Sequence, residues 1–238
     1  LNFRRLLEKH GLAANMLEAV NAHLARKGQS LRAGTIVDAS FVEVPRQRNT
    51  REENELIKQG QPPPEWENQP HKLSQKDLDA RWTKKNHETF YGYKNHIRAD
   101  AESAIITDYT VTDAAVHDSQ ALPELIGPDN KGENLFADSA YKSAKTDEKL
   151  AELGITNYVH EKGRRNRPLN DLQKELNRLK SQVRCHIEHI FGCVENSMGG
   201  PELEYIGLPR IRTGIGLSNL AYNFLRHVQL IRLGRAPA

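Results

Sequence analysis

An apolar stripe through residues 172–194 constrains the fold more than any other feature of this 238-residue chain. Successive members are four, three, four, four, three and four residues apart: Leu172, Leu176, Leu179, Val183, Ile187, Ile190 and Val194. Because this is the spacing of one face of an α-helix, the stripe predicts a long amphipathic helix packed on a core. The helix is expected to follow Pro168, with Asn170 or Asp171 as its N-terminal cap.

Upstream of this helix, short β-like runs alternate with helical segments. Five apolar or β-branched runs bounded by turn residues predict strands at 35–44, 90–98, 104–111, 135–141 and 155–160. The second and third runs flank a short polar turn and predict a hairpin. Helices are expected from Asp118, which suits a cap, and over 146–154. This order predicts an α/β fold, a mixed sheet flanked by helices.

Two segments fall outside this alternation. Residues 1–30 are predicted to form two short helices, which we interpret as the tail of an N-terminal helical region. The helical pattern is already under way at Leu1, so upstream sequence is expected to be missing. Residues 46–86 are polar and contain three consecutive prolines, which predicts a surface insertion. The domain expected to carry the activity then spans 31–238.

Composition indicates a protein with a buried core, since 37% of the residues are hydrophobic and 27% are charged. No apolar run approaches the roughly 18 residues that a membrane-spanning helix needs. The first residues also lack a basic and then apolar leader. A cytoplasmic protein without a membrane partner is therefore predicted.

Basic residues are concentrated in two parts of the chain, although the net charge is only +3. The first group contains Lys162, Arg164, Arg165, Arg167, Lys174, Arg178, Lys180 and Arg184, and the second Arg210, Arg212, Arg226, Arg232 and Arg235. Such clusters suit a polyanion such as DNA, because phosphate neutralisation releases counterions. Ordinary solvated surface is the alternative interpretation of charge runs alone.

Two aspartates interrupt apolar strands. Asp38 lies within the first predicted strand, flanked by apolar residues, and Asp138 ends the run 135–137. A buried carboxylate is costly unless it is paired or binds a metal. Strand ends can converge at one edge of a sheet, where open α/β folds bind ligands. We therefore expect both aspartates to belong to one site.

A third carboxylate, Glu188, follows Ile187 of the stripe, and Arg184 follows Val183 in the same way. Both side chains are expected where the buried and exposed faces of the helix meet. By themselves they are most simply an i,i+4 surface ion pair. Together with the two aspartates, however, Glu188 suits a site for two Mg²⁺ ions that cleaves phosphodiesters, with carboxylate oxygens within about 4–8 Å of one another. Spacing alone does not establish such a site.

Six segments form an ordered set along the chain. They are TIVDAS at 35–40, YGYKNHI at 91–97, VTDAAVHDS at 111–119, FADSAY at 136–141, RCHIEHIFG at 184–192 and NLAYNF at 219–224. This set resembles bacterial insertion-sequence transposases, with the IS5 branch of the IS4-like DDE superfamily as the nearest group. The resemblance covers nearly the whole chain.

The resemblance implies an RNase H-like fold in which Asp38, Asp138 and Glu188 are the catalytic and metal-binding acids. It implies two Mg²⁺ ions, which Mn²⁺ can replace, and double-stranded DNA as substrate, both the terminal inverted repeats of the element and the target. A homodimer on DNA and association with the bacterial nucleoid are further expectations. Arg184 matches the arginine of the family's Tyr-Arg-Glu-Lys signature, whereas Ser181 and Glu195 replace its tyrosine and lysine.

Two other functions stay open at this point. A catalytically inert DNA-binding remnant, or a regulator of transposition, would keep the basic surface but would have no need for the acids. An RNase H-like nuclease that does not transpose would keep the acids without the other family segments.

Two pairs of residues have competing interpretations. His186 and His189 bracket Glu188, but their spacing is not that of a zincin zinc site. Trp66 and Trp82 would either stack on unpaired bases or, as we favour, anchor the insertion to the body of the domain.

Overall fold

The computed structural model describes residues 2–29, 31–85, 87–200 and 203–236. Leu1 and Ser30, the ends of the predicted N-terminal segment, and Asn86, the end of the predicted insertion, lie outside the described residues. Within the described part of the chain, no helix is both long enough and apolar enough to cross a membrane.

The strands form one mixed sheet. They are β1 (Thr35–Glu43), β2 (Arg81–Lys85), β3 (Glu88–Asp100), β4 (Ile106–Asp113), β5 (Asn134–Phe136) and β6 (Thr156–Asn157). Strand β3 pairs antiparallel with β1 on one side and with β2 and β4 on the other. Strand β1 pairs parallel with β5, and β5 with β6. The predicted hairpin is β3–β4, and the predicted α/β fold with a mixed, RNase H-like sheet is confirmed.

Helices cover both faces of the sheet. They are α1 (Asn2–His10), α2 (Leu12–Arg26), α3 (Arg51–Lys58), α4 (Pro64–Glu67), α5 (Pro70–Leu73), α6 (Asp118–Leu125), α7 (Ala144–Leu153), α8 (Asp171–Gly192) and α9 (Leu208–Arg232). Because successive strand residues point to opposite faces, Ile36 and Val37 of β1 enter different cores. Ile36 packs in the core that includes residues of α2, α8 and α9, and Val37 in the core formed with α6 and α7.

Helix α8 begins where the sequence predicts, because Asn170 caps it by accepting a hydrogen bond from the backbone N–H of Gln173. The predicted burial of its stripe is only half right. Ile187 and Ile190 are buried, whereas the three leucines of the first half are exposed: Leu172, Leu176 and Leu179. In the first half of α8 the leucine stripe is therefore not packed, although Asn177 exchanges hydrogen bonds with the backbone of Glu161.

Helix α9, the longest in the described residues, was not predicted from the sequence. Gly216 lies inside it, where a Cβ atom would overlap the hydroxyl of Tyr109, so glycine allows α9 to approach β4 closely. Asn223 is buried as well, and it satisfies the backbone of Ile106 at the start of β4. Buried glycine and asparagine residues interrupt the apolar stripe by which a helix is recognised in a sequence. For this reason α9 could not be predicted.

The polar segment 46–86 contains three short helices, α3 to α5, but it also contributes a strand. Residues 81–85 form β2, which pairs with β3 as an edge strand with mostly exposed side chains. Trp66 is fully buried, and its indole N–H donates to Glu53 over 2.8 Å. Glu53 and the ammonium groups of Lys72 and Lys76, which lie over the indole ring, all belong to the segment 46–86. Anchoring to the body of the domain stays a prediction. Trp82 lies on β2, partly exposed, with its ring against Tyr91.

Candidate active site

The parallel pairing of β1 and β5 places the two predicted aspartates side by side. Ile36 is paired with Phe136. Two residues further along each segment stand Asp38 and Asp138, so both carboxylates lie where β5 ends. Asp138 Oδ1 accepts a 2.8 Å hydrogen bond from the backbone N–H of Ala140 and thereby caps the short 3-10 turn Ser139–Tyr141.

Arg184 of α8 joins the first strand to the helix. One guanidinium nitrogen, Nη1, donates to Asp38 Oδ2 over 2.8 Å, and the other, Nη2, donates to Glu188 Oε1. Asp38 and Arg184 are mostly buried, whereas the side chain of Glu188 is 56% exposed. The i,i+4 ion pair between Arg184 and Glu188 therefore exists, and the same guanidinium also binds Asp38 of β1.

The environment of Asp38 opposes its negative charge. Burial is the largest cause, and with the negative charge of Asp138 it raises the pKa of Asp38 to about 6. The backbone N–H of Ala39, which donates to Oδ1 over 2.8 Å, and the positive charges of Arg184 and Lys85 act in the opposite direction. A buried carboxylate with a like charge nearby is one that a cation would stabilise.

The chemistry of this group fits a divalent metal. Asp38, Asp138 and Glu188 offer the hard carboxylate oxygens that Mg²⁺ prefers, and in this structure a guanidinium supplies the positive charge between two of them. Their side chains are not gathered as a metal shell, because no three His, Cys, Asp or Glu residues within the described ranges are placed to hold an ion.

His160 belongs to the site although no sequence signal pointed to it. Its backbone N–H donates to the carbonyl of Ala137, next to Asp138, and its Nε2 lies 3.4 Å from the hydroxyl of Ser181. Burial, with the positive charges of Arg184 and Lys180, lowers the pKa of His160. Ser181 stands where the resembling family has tyrosine. In this chain the serine that replaces it contacts His160.

Glu195, which replaces the family's lysine, also has a partner in the site. It lies in the π-helical turn Cys193–Ser197 that extends α8, and its Oε1 accepts a 2.9 Å hydrogen bond from Ser40 Oγ. Ser40 follows Asp38 by two residues and shares its face of β1. The side of the site that carries Glu188 therefore has a second carboxylate, Glu195, where the family's lysine would place a positive charge.

His186 and Asp118 both have partners outside the group of Asp38, Asp138 and Glu188. His186 Nδ1 lies 2.8 Å from the carbonyl oxygen of Ala101, in hydrogen-bonding contact with it. The expectation that Asp118 caps α6 was wrong. His117 provides the cap by accepting from the N–H of Ser119, and Asp118 instead pairs with Lys94 over 2.8 Å.

The predicted DNA-binding arginines occupy an exposed turn in front of α8. Arg164 and Arg167 exchange backbone hydrogen bonds of 3.0 Å, and these two side chains and Arg165 are exposed. Arg184 differs from them, since it is mostly buried between the acids.

An RNase H-like sheet that brings Asp38 of β1 beside Asp138, just past β5, with Glu188 on α8, is typical of enzymes that act on nucleic-acid phosphodiesters. The family described as "Transposase DDE domain" matches residues 29–224. A similar protein is the "Transposase for insertion sequence element IS1106" of Neisseria meningitidis serogroup B, 30% identical over 232 residues, which are 95% of this chain and 76% of that protein. No solved structure matches.

The chain belongs to the DDE transposase family. Its function is therefore that of a DNA transposase, which performs metal-dependent DNA cleavage and strand transfer.

Proposed function

We propose that Asp38, Asp138 and Glu188 are the catalytic acids and that they hold two Mg²⁺ ions, for which Mn²⁺ can substitute. The observation that carries this proposal is the single guanidinium of Arg184 bound to Asp38 and Glu188, where β5 ends beside β1. When bound, the metals supply an activated water and stabilise the leaving oxygen of the scissile phosphate.

The roles that we assign to the protein groups follow from their placement and exposure. Asp38 lies inside β1 and Asp138 just past the end of the paired strand β5, so both offer ligands held by the sheet. Glu188 is more exposed and lies on α8, so it completes the set from the side of the DNA. Arg184 lies between Asp38 and Glu188, where its guanidinium would also be able to contact the scissile phosphate. Its guanidinium is then in place to position that phosphate.

The substrate we propose is double-stranded DNA, at the terminal inverted repeats of the element and at the target site. Arg164, Arg165 and Arg167 supply phosphate contacts that do not depend on sequence. The protein works on DNA as a homodimer, in the bacterial cytoplasm and associated with the nucleoid. The exposed leucines of α8 support a second protein surface, because they follow the heptad spacing of helix–helix contacts.

Cleavage of a labelled DNA duplex that carries an element end tests this proposal. We expect strand cleavage with Mg²⁺ or Mn²⁺ and none with a chelator. Asp38→Asn and Glu188→Gln should abolish it, whereas Glu175→Gln on the exposed face of α8 should leave it intact. Full cleavage by either of the first two variants would contradict the assignment. A wild-type protein that binds the duplex but never cuts it would favour the inert regulator instead.

A further inference from the structure

Two exposed lysines end the strand β2, at the tip of the hairpin that β2 forms with β3. They are Lys84 and Lys85, and both side chains are open to solvent. Within the described part of the chain neither ammonium group forms an ion pair, in contrast to those of Lys58 and Lys142. Two positive charges therefore lie at this tip, and neither belongs to the basic groups noted in the sequence.

The tip of the hairpin lies over the second half of β1. Gly92 of β3 has φ +146°, and a Cβ atom there would overlap the carbonyl oxygen of Val42, so glycine allows β3 to approach β1 closely at this point. On the tip side of Gly92, Phe90 stacks on Phe41 of β1 with the ring centroids 4.3 Å apart. The ammonium nitrogen of Lys85 lies 5.6 Å from the centre of the Phe41 ring.

This part of β1 adjoins the candidate active site. Phe41 follows Asp38 by three residues, which is about 10 Å along the strand, and points to the opposite face. The pairing of β1 with β5 includes only Thr35 and Ile36, so both faces of the later residues open onto the same strand edge. Burial is the largest cause that raises the pKa of Asp38, and the positive charge of Lys85 is among the charges that oppose this rise.

The hairpin tip and the arginine turn at 164–167 flank the acids from opposite sides. The strand order is β2–β3–β1–β5–β6, with Asp38 on the central strand and Asp138 just past its neighbour β5. The hairpin is at one end of this order, and the arginine turn follows β6 at the other end. Four strand spacings separate β2 from β6, about 19 Å, which equals about six base pairs of DNA. A duplex that crosses the acids therefore has basic side chains on both sides of them.

We propose that Lys84 and Lys85 contact the phosphate backbone of the DNA on the side of the acids opposite to the arginine turn. The proposal rests on the proposed function, because it takes the duplex to lie across Asp38 and Asp138. An ammonium group binds phosphate as a point charge, and the counterions that it displaces favour binding to any base sequence. The polar segment 46–86, which includes β2, thereby helps to hold the substrate.

The test is the salt dependence of duplex binding by the double variant Lys84→Ala, Lys85→Ala, measured by fluorescence anisotropy with a chelator present. Each lost phosphate contact removes about 0.9 from the slope of log affinity against log salt, so the variant should lose about 2 units. Combined with alanine at the three arginines of the turn, it should lose the sum of both effects. Arginine at both positions keeps the charges and should keep the wild-type slope. Alanine at Lys145 and Lys149 of α7 is the matched control and should change little.

A second variant leaves the contact between Lys85 and Phe41 in place. Lys84 makes no side-chain hydrogen bond or ion pair among the described residues, so Lys84→Gln should fold normally and lose about one unit of slope. On a duplex that carries an element end, phosphate-ethylation interference should disappear on opposite sides of the cleavage position in the lysine and arginine variants.

An unchanged slope in both lysine variants would overturn the inference. So would an equal loss in the α7 control, a combined loss no larger than that of the arginine variant, or interference lost on the same side in both variants. If the wild-type protein binds no duplex, the proposed substrate is wrong and this inference falls with it. If the wild type and the arginine variant behave as proposed while the lysine variants keep the wild-type slope, only the role of the hairpin falls.

Discussion

Arg184 donates a 2.8 Å hydrogen bond to Asp38 across 146 residues of sequence. The same guanidinium also binds Glu188, so the helix and the first strand are connected through one positive charge. The carboxylates of Asp38 and Glu188, which would otherwise repel each other, are thereby held on one guanidinium. Arg184 is thus a structural element of the candidate site as well as a proposed contact to the substrate.

Arg184→Ala should impair cleavage more than DNA binding. The variant loses one phosphate contact but also the group that positions the scissile phosphate, and misplacement of this kind costs about 100-fold in rate. We expect DNA affinity to fall by less than about 10-fold. Single-turnover cleavage and equilibrium binding measure the two effects separately. Arg178→Ala, on the exposed side of the same helix, is the control and should change neither by much. Equal losses in rate and affinity would argue that Arg184 is merely a DNA contact.

Asp138→Asn should leave DNA binding intact while cleavage falls by orders of magnitude. The substitution keeps the shape of the side chain and removes the charge that a metal requires. The amide oxygen can still accept the capping hydrogen bond from Ala140, so the fold should persist. Gel-shift titration and a Mg²⁺-dependent cleavage assay together check this, with Glu152→Gln on α7 as a surface control. Undiminished cleavage would place the chemistry at another site.

Replacement of Arg164, Arg165 and Arg167 by alanine should flatten the dependence of DNA affinity on salt. Each phosphate contact contributes nearly one unit to the slope of log affinity against log salt, so the triple variant should lose roughly 2–3 units. The loss should be the same for unrelated DNA sequences. A triple variant of Lys131, Lys145 and Lys149, near or on α7, removes the same charge elsewhere and serves as control. An unchanged slope in the arginine variant would mean that the turn is ordinary solvated surface.

Asp38→Asn should change how the stability of the metal-free protein depends on pH. The folded-state pKa of about 6 lies above the ordinary value of 3.8, so ionisation of Asp38 destabilises the fold as pH rises through this window. The variant lacks this cost. Its free energy of unfolding relative to the wild type should therefore rise by ~3 kcal/mol between pH 3.5 and pH 8. Urea unfolding across this range measures the difference, and parallel pH profiles would show that Asp38 ionises normally.

The local pattern around Asp38 and along α8 carried most of the information in the sequence. A carboxylate within an apolar strand and an uninterrupted helical stripe each have few structural explanations, so β1, α8 and the capping residue Asn170 could be predicted. The mixed sheet followed from the order of the elements. Which strands are neighbours did not, because the pairing of β1 with β5 depends on contacts between residues far apart in sequence.

Residues whose roles depend on tertiary neighbours could not be predicted in the same way. Nothing in the sequence around His160 indicates a role, because its contact with Ser181 forms only in the folded chain. Asp118 has the sequence context of a helix cap, yet the ammonium group of Lys94 from another strand decides its partner. The exposure of Leu172 is a related case, because helical spacing shows which residues share a face but not how far the neighbouring elements extend.

The order in which the acids leave the ribosome is their order in the sequence, whereas the fold brings them to one place. A nascent chain that ends before α8 already contains Asp38 and Asp138, but it lacks Glu188 and the guanidinium of Arg184. Because these two residues come from the same late helix, the third acid and the cation that restrains it are synthesised together. A partly made chain therefore has an incomplete set of acids until the helix that also supplies the guanidinium has been synthesised.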